Sequence, residues 1–129
     1  MEKSRATILG SFDTLENGVG SAIRKTLSEL GVDTLRMDPI RPEPLTEAFA
    51  KAIISSDFVI ADMSKQSSNL MYELGLAHGF RKPTILIMSS QSPAQIPTDL
   101  AGNFFLFYDP HDLSGFGNKL RKLISPHIV

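Results

Sequence analysis

The sequence predicts an α/β domain built on a parallel sheet, and three observations predict it. Stretches that read as strands and stretches that read as helices alternate along the whole chain. The strand stretches are continuous apolar runs, as in sheets covered on both faces, and lack the every-other-residue pattern of a half-exposed sheet. The composition is that of one globular unit: 129 residues, 42% hydrophobic, 21% charged and 8% aromatic. A chain of this size buries roughly two thirds of its unfolded surface and needs no covalent staple. With no repeat, low-complexity stretch or linker in it, residues 1–129 are read as a single domain.

The elements follow in order. Residues 6–10 (Ala-Thr-Ile-Leu-Gly) read as a buried first strand running into the loop Ser11-Phe12-Asp13. Val19, Ala22, Ile23, Leu27 and Leu30 keep helical spacing over 18–30, and Gly31 supplies the stop common after a helix C-terminus. Residues 33–37 read as a second strand. Arg41-Pro42-Glu43-Pro44 is a turn into a helix carrying Leu45, Ala48, Phe49, Ala52 and Ile53; its prolines suit a helix's first turn, where the missing N–H costs nothing. Phe58-Val59-Ile60-Ala61 is the clearest strand and ends at Asp62. A polar loop through Ser64 to Asn69 leads into a helix over about 70–80, which Lys82-Pro83 breaks. Residues 84–88 form another fully apolar strand, and 104–108 a last one. A final helix is expected over 111–124, with Lys119, Arg121 and Lys122 near its end, where they favour the macrodipole. About five strands wound this way make a flavodoxin-like three-layer fold: a five-stranded parallel sheet with helices on both faces. Ligands of such sheets bind outside the carboxyl ends of the strands. That rule selects 10–13, 36–38 and 62–73.

Charge and composition exclude several function classes. Thirteen Lys plus Arg face fourteen Asp plus Glu, for a net charge of −1. That argues against general nucleic-acid binding, which needs a basic footprint. Zero cysteines exclude disulfides, thiol catalysis and thiolate metal sites. No apolar run approaches the roughly 18 residues of a membrane span, and the first residues form no signal peptide. A cytoplasmic location without membrane contact is the expectation. His78, His111 and His127 lack metal-ligand spacing, so no metal site is expected. Gly18-Val19-Gly20 lacks the third glycine of a dinucleotide loop, and the chain holds no phosphate-binding P-loop motif.

Glu73 is the most informative residue. On a helical wheel, Leu70, Leu74, Ala77 and Phe80 share one arc and Glu73 falls inside it. A carboxylate on an apolar arc leaves water at a cost. Its place in the helix's first turn, near the positive end of the dipole, is expected to keep it ionised. Such a group can act as a nucleophile or stabilise an oxocarbenium-like centre. The alternative, with about even weight, is a helix-start glutamate that satisfies backbone N–H groups. Asp62, at a strand tip, can accept from ribose hydroxyls, or simply start the next turn. Asn69 lies four residues before Glu73 and can meet it on one helix face, although N-cap is its stronger reading. Arg36 and Arg41 can grip a phosphate, with solvated arginines the safer reading.

The stretch Ser56 to Asp62, then Asn69-Leu70-Met71-Tyr72-Glu73-Leu74-Gly75-Leu76-Ala77-His78-Gly79 and Lys82-Pro83, resembles the nucleoside 2-deoxyribosyltransferase superfamily and the related TIR-like domains of bacteria. The order of elements agrees over nearly the whole chain. The resemblance implies cleavage of an N-glycosidic bond in a nucleoside, nucleotide or NAD+, the last as a substrate and with no cofactor required. It implies that Glu73 attacks or stabilises the anomeric carbon, that Asp62 contacts sugar or base, and that Ser11, Phe12 and Asp13 close over the substrate. Ser64 and Asn69 complete the expected binding set. It further implies a homo-oligomer. Ser67-Ser68-Asn69 stands where deoxyribosyltransferases often carry an aspartate and a Gly-Thr-like pair, and Gly10-Ser11-Phe12 replaces their frequent Gly-Pro-Phe. The Asn-x-x-Tyr-Glu-Leu-Gly form, followed by Ile96-Pro97-Thr98-Asp99-Leu100, is similar to TIR-like relatives that act as NAD+ hydrolases or nucleotide-sensing modules in bacterial defence.

Overall fold

The computed structural model describes residues 3–10, 18–36, 45–94 and 105–128. In chain order the elements are β1 (Arg5–Leu9), α1 (Gly18–Glu29), β2 (Asp33–Arg36), α2 (Leu45–Ser55), β3 (Phe58–Asp62), α3 (Ser68–Gly79), β4 (Thr84–Ser89), β5 (Phe105–Tyr108) and α4 (Phe116–Ile124), with a 3₁₀ turn over Ser125–His127. The five strands form one sheet in the order β2-β1-β3-β4-β5. Every pairing is parallel. This is the flavodoxin-like order, and its switch point lies between β1 and β3, where the chain turns from one side of the sheet to the other.

Alternation along the strands builds two cores. Ala6, Ile8, Phe58, Ile60, Ile85, Ile87 and Leu106 face one side, where Val19, Ile23 and Leu27 of α1 and Phe116, Leu120 and Ile124 of α4 cover them. Leu9, Val59, Ala61 and Leu86 face the other, under Phe49 and Ile53 of α2 and Leu70, Leu74 and Ala77 of α3. The covering residues recur every four positions, or four then three, so each helix offers one apolar stripe. All five residues of β3 are buried, because the strand lies inside the sheet under both helix layers. Burying each large aliphatic or aromatic side chain contributes about 1.5–3 kcal/mol.

Polar ties fix the layers to one another. Thr7 and Ser56, both buried, share a hydrogen bond of 2.7 Å between their hydroxyls, joining β1 to the end of α2. The backbone N–H of Arg5 donates to Asp57 at 2.8 Å. Arg121 of α4 meets Glu29 of α1 at 2.6 Å. Gly31 takes φ of +73° just beyond α1, the left-handed stop its position predicts.

Three expectations are corrected here. The last helix begins at Phe116 and not near residue 111. Asp112 instead accepts from both the N–H and the hydroxyl of Ser114, and Gly115 sits at φ +79°, so the chain makes a turn before the helix. The N-cap of α3 is Ser67, whose hydroxyl accepts from the N–H of Leu70 at 3.1 Å. Asn69 is inside the helix and exposed. Phe80 lies past the helix end and is 42% exposed, so it leaves the apolar arc. Among the described residues no helix is long and apolar enough to cross a membrane.

Candidate functional site

The carboxyl ends of the strands hold two different assemblies of polar groups. The first surrounds Asp62. By alternation its side chain belongs to the α1/α4 side of the sheet, with Phe58 and Ile60. It is 1% exposed. Such deep burial of a carboxylate requires partners, and it has them. Oδ1 accepts from the N–H of Ser64 at 2.8 Å. Oδ2 accepts from the hydroxyl of Tyr108 at 2.6 Å. Tyr108 ends β5, two strands away in the sheet.

Ser64 locks this assembly. Its hydroxyl lies 3.2 Å from that of Tyr108. The phenol has one proton and gives it to Asp62, so Ser64 must be the donor in that contact. The Ser64 oxygen in turn accepts from the N–H of Ser89 at 2.7 Å. Its carbonyl accepts from the hydroxyl of Ser92 at 2.6 Å. Thus the loop from β3 to α3 is fastened to the ends of both β4 and β5. Burial, reinforced by the Asp62 carboxylate, pushes the Tyr108 hydroxyl well above the ordinary phenol range. It therefore remains an O–H donor at any working pH.

The second assembly is Glu73 on α3. It falls in the second turn, because the helix starts at Ser68 and carries no acidic residue in its first turn. Glu73 stands about 8 Å along the axis from the helix start. Its neighbours along the helix are exposed Asn69 and Tyr72 on one flank and buried Leu74 and Ala77 on the other. The carboxyl is half-buried, and desolvation raises it above the usual carboxylate range. No hydrogen-bond partner is found for it among the described residues. The expected place in the first turn is therefore corrected: in the second turn the dipole effect has faded, and burial acts in the opposite direction, toward the neutral form.

A cavity of about 420 Å³ opens beside the first assembly. Ser89 and Tyr108 line it from the sheet, Ser64 from the loop after β3, and Val19 of α1, Pro93 and Pro110 from the surrounding segments. Glu73 is not among its lining residues. Of the residues expected at the site, Asp62 and Ser64 are brought together, while Glu73 and Asn69 stand apart from them on α3. Ser11, Phe12 and Asp13 lie outside the described residues, as does Arg41, and Arg36 is described by its backbone alone. Among the described residues no three His, Cys, Asp or Glu side chains stand close enough to hold a metal ion. His78 and His111 are exposed, and His127 lies against Phe58 with ring centroids 6.1 Å apart.

Tyr108, Ser89 and Ser92 are site residues that the sequence reading did not select. A signal for Tyr108 existed. Tyrosine at the tip of an apolar strand, in the same sheet as an aspartate at a strand tip, is a natural donor for that carboxylate.

Neither a protein-family model nor a curated protein sequence matches the chain. Solved structures do. The CMP N-glycosidase BcmB of Clostridium botulinum is similar with a TM-score of 0.67 at 18% identity, over 91% of this chain and 98% of that one. The TIR domain of the Toll-related receptor TRR-2 of Hydra magnipapillata is similar with a TM-score of 0.71 at 20% identity, over 94% and 95%. The TIR domains of the activated Roq1 resistosome match at 0.54 and 22% identity, over 67% of this chain and 58% of theirs. The flavodoxin-like sheet described above is thus the fold shared by TIR domains and a CMP N-glycosidase, in agreement with the resemblance carried by the segment around Glu73.

Proposed function

We propose that this chain cleaves the N-glycosidic bond of a nucleoside or nucleotide, with Glu73 as the essential carboxyl group. The observation that carries the proposal is the state of Glu73: half-buried, raised by desolvation, and without a hydrogen-bond partner among the described residues. A carboxyl held that way is costly unless a ligand or a reaction makes use of it. The solved CMP N-glycosidase of the same fold supports the choice of bond.

In the proposed reaction the ionised Glu73 attacks or shields the anomeric carbon as the C1′–N bond breaks. The base leaves with the bonding electrons and takes a proton from water. Water then releases the sugar, or a second base replaces it. Asn69, one turn ahead of Glu73 on α3, is proposed to contact a sugar hydroxyl. Ser11, Phe12 and Asp13 are proposed to close over the substrate. Asp62 and Ser64 act here as the mount of the loop leading into α3. NAD+ is an alternative substrate of the same chemistry, and action as a homo-oligomer belongs to the proposal.

A second reading is a module that binds a nucleotide without cleaving it. One observation favours it. Glycosidic cleavage commonly employs two carboxyl groups, and both oxygens of Asp62 are already engaged by Ser64 and Tyr108. The test is a product assay at high protein concentration with CMP, other nucleoside 5′-monophosphates, deoxynucleosides and NAD+, beside Glu73→Gln. The expected outcome is free base from wild type and roughly 10³-fold less from the variant. Nicotinamide as the sole product selects NAD+. Equal turnover by the variant removes Glu73 from the reaction, and intact ligand after long incubation selects the binding module.

A further inference from the structure

We propose that the cavity at the tips of β3, β4 and β5 is a second small-molecule site, separate from Glu73, and that it takes a flat, neutral heterocycle of nucleoside size. Position comes first. Val19, Asp62 and Tyr108 belong to the α1/α4 side of the sheet, and Val19 and Tyr108 line the cavity. Glu73 sits on α3, which packs on the opposite side. A ligand in this cavity therefore rests on a different part of the sheet's edge from one that meets Glu73.

Size narrows the occupant. About 420 Å³ is far more than an ion or a water cluster needs, and lies in the lower range of pockets for small organic ligands. The lining narrows it further. Val19, Pro93 and Pro110 offer apolar surface with no side-chain hydrogen-bonding group, which suits ring faces and sugar methylenes. Ser89 and Gln91 offer both donors and acceptors, which suits the mixed edge of an amide-like ring. The Ser89 oxygen accepts from the N–H of Gln91 at 3.2 Å, and a hydroxyl in that role keeps its proton for a ligand. Among the described residues no Asp or Glu lines the cavity, and none of them there calls for a cation. Lys65 at the lining makes an added phosphate tolerable.

The floor is built before any ligand arrives. Every polar atom of Ser64 is used, through four hydrogen bonds to Asp62, Tyr108, Ser89 and Ser92. A floor that does not reorganise lowers the ordering cost of binding. It also supports the loop that leads to Ser67, the cap of α3. An occupant therefore rests on the segment that carries Glu73 without touching Glu73 itself.

The test is calorimetric titration of the whole chain with adenosine, cytidine and their 5′-monophosphates. The variants are Glu73→Gln, Ser89→Leu, which narrows the cavity and removes the Ser89 hydroxyl, and Gln91→Ala, at an exposed residue. At least one compound is expected to bind Glu73→Gln within about twofold of wild type. The same compound should bind Ser89→Leu about tenfold or more weakly, and Gln91→Ala about threefold more weakly, as the loss of one or two hydrogen bonds implies. If Ser89→Leu melts early, Gln91→Ala decides. Binding that is lost with Glu73→Gln but kept by both cavity variants overturns the proposal. So does a panel in which nothing binds. The product assay on Glu73 stands independently of either result.

Discussion

Asp62 and Glu73 are both carboxyl groups withdrawn from water toward the carboxyl end of the sheet, yet they are in opposite chemical situations. Asp62 is the more deeply buried, and each of its oxygens has a short, well-directed donor. Glu73 is only half-buried, but it has no such donor among the described residues, and desolvation acts on it unopposed. The comparison teaches that burial alone does not mark a reactive acid. Asp62 spends its charge on holding three segments together, while Glu73 keeps its lone pairs available.

The largest stability effect is expected at Asp62. Asp62→Ala takes the acceptor from the buried Tyr108 hydroxyl and from the partly buried Ser64 N–H. It should cost about 3 kcal/mol and lower the melting temperature by roughly 10 °C, read by urea and thermal unfolding. Glu73→Gln should leave the melting temperature nearly unchanged. If the two variants were equally destabilised, the contrast between them would disappear. Tyr108→Phe removes one donor from Asp62 and keeps the ring, which packs edge-on to Phe116 at 5.6 Å. It should cost about 1.5 kcal/mol. In a double-mutant cycle with Asp62→Ala the losses should fall short of additive, and strict additivity would deny the coupling. Ser67→Ala removes the cap of α3 and should cost about 1 kcal/mol, measurable as a small shift in the urea midpoint.

The smallest effect sharpens the comparison through pH. The pKa of Glu73 is higher in the folded chain than in the unfolded one. Between the two values the folded state binds more protons, so its stability falls as pH rises through that window. Wild type should therefore lose stability relative to Glu73→Gln as pH is raised from about 4.5. A difference between the two that stays constant with pH would mean that Glu73 is not desolvated in solution.

Much of the fold was legible because its physics is local and repetitive. Apolar runs such as 58–61 leave no solvent face, and the spacing of Val19, Ile23 and Leu27 writes out one side of a helix. What stayed hidden depended on choices between near-equal residues or on distant partners. Ser67, Ser68 and Asn69 are all good helix caps, so the sequence does not say which one starts α3. That choice moved Glu73 from the first turn to the second, away from the strongest part of the helix dipole. The start of α4 was missed because apolar spacing around Leu113 continues into a turn that Asp112 and Gly115 impose. The fastening of Asp62 by Tyr108 joins residues 46 positions apart, and no local pattern reports such a pair. Glu73 was legible as a carboxylate within an apolar arc, and it remains the residue on which the functional proposal turns.

The bond between Tyr108 and Asp62 also bears on how the sheet assembles. β3 is a central strand, whereas β5 lies at the sheet's edge, last in the strand order. A partly folded sheet that lacks β5 would hold a carboxylate in its interior with one oxygen unanswered, and would be penalised for it. Docking of the edge strand thereby removes a defect at the centre. The missing bond counts against a four-stranded intermediate and adds to the cooperativity of a small domain, so that probes on β1 and on β5 should report the same unfolding curve.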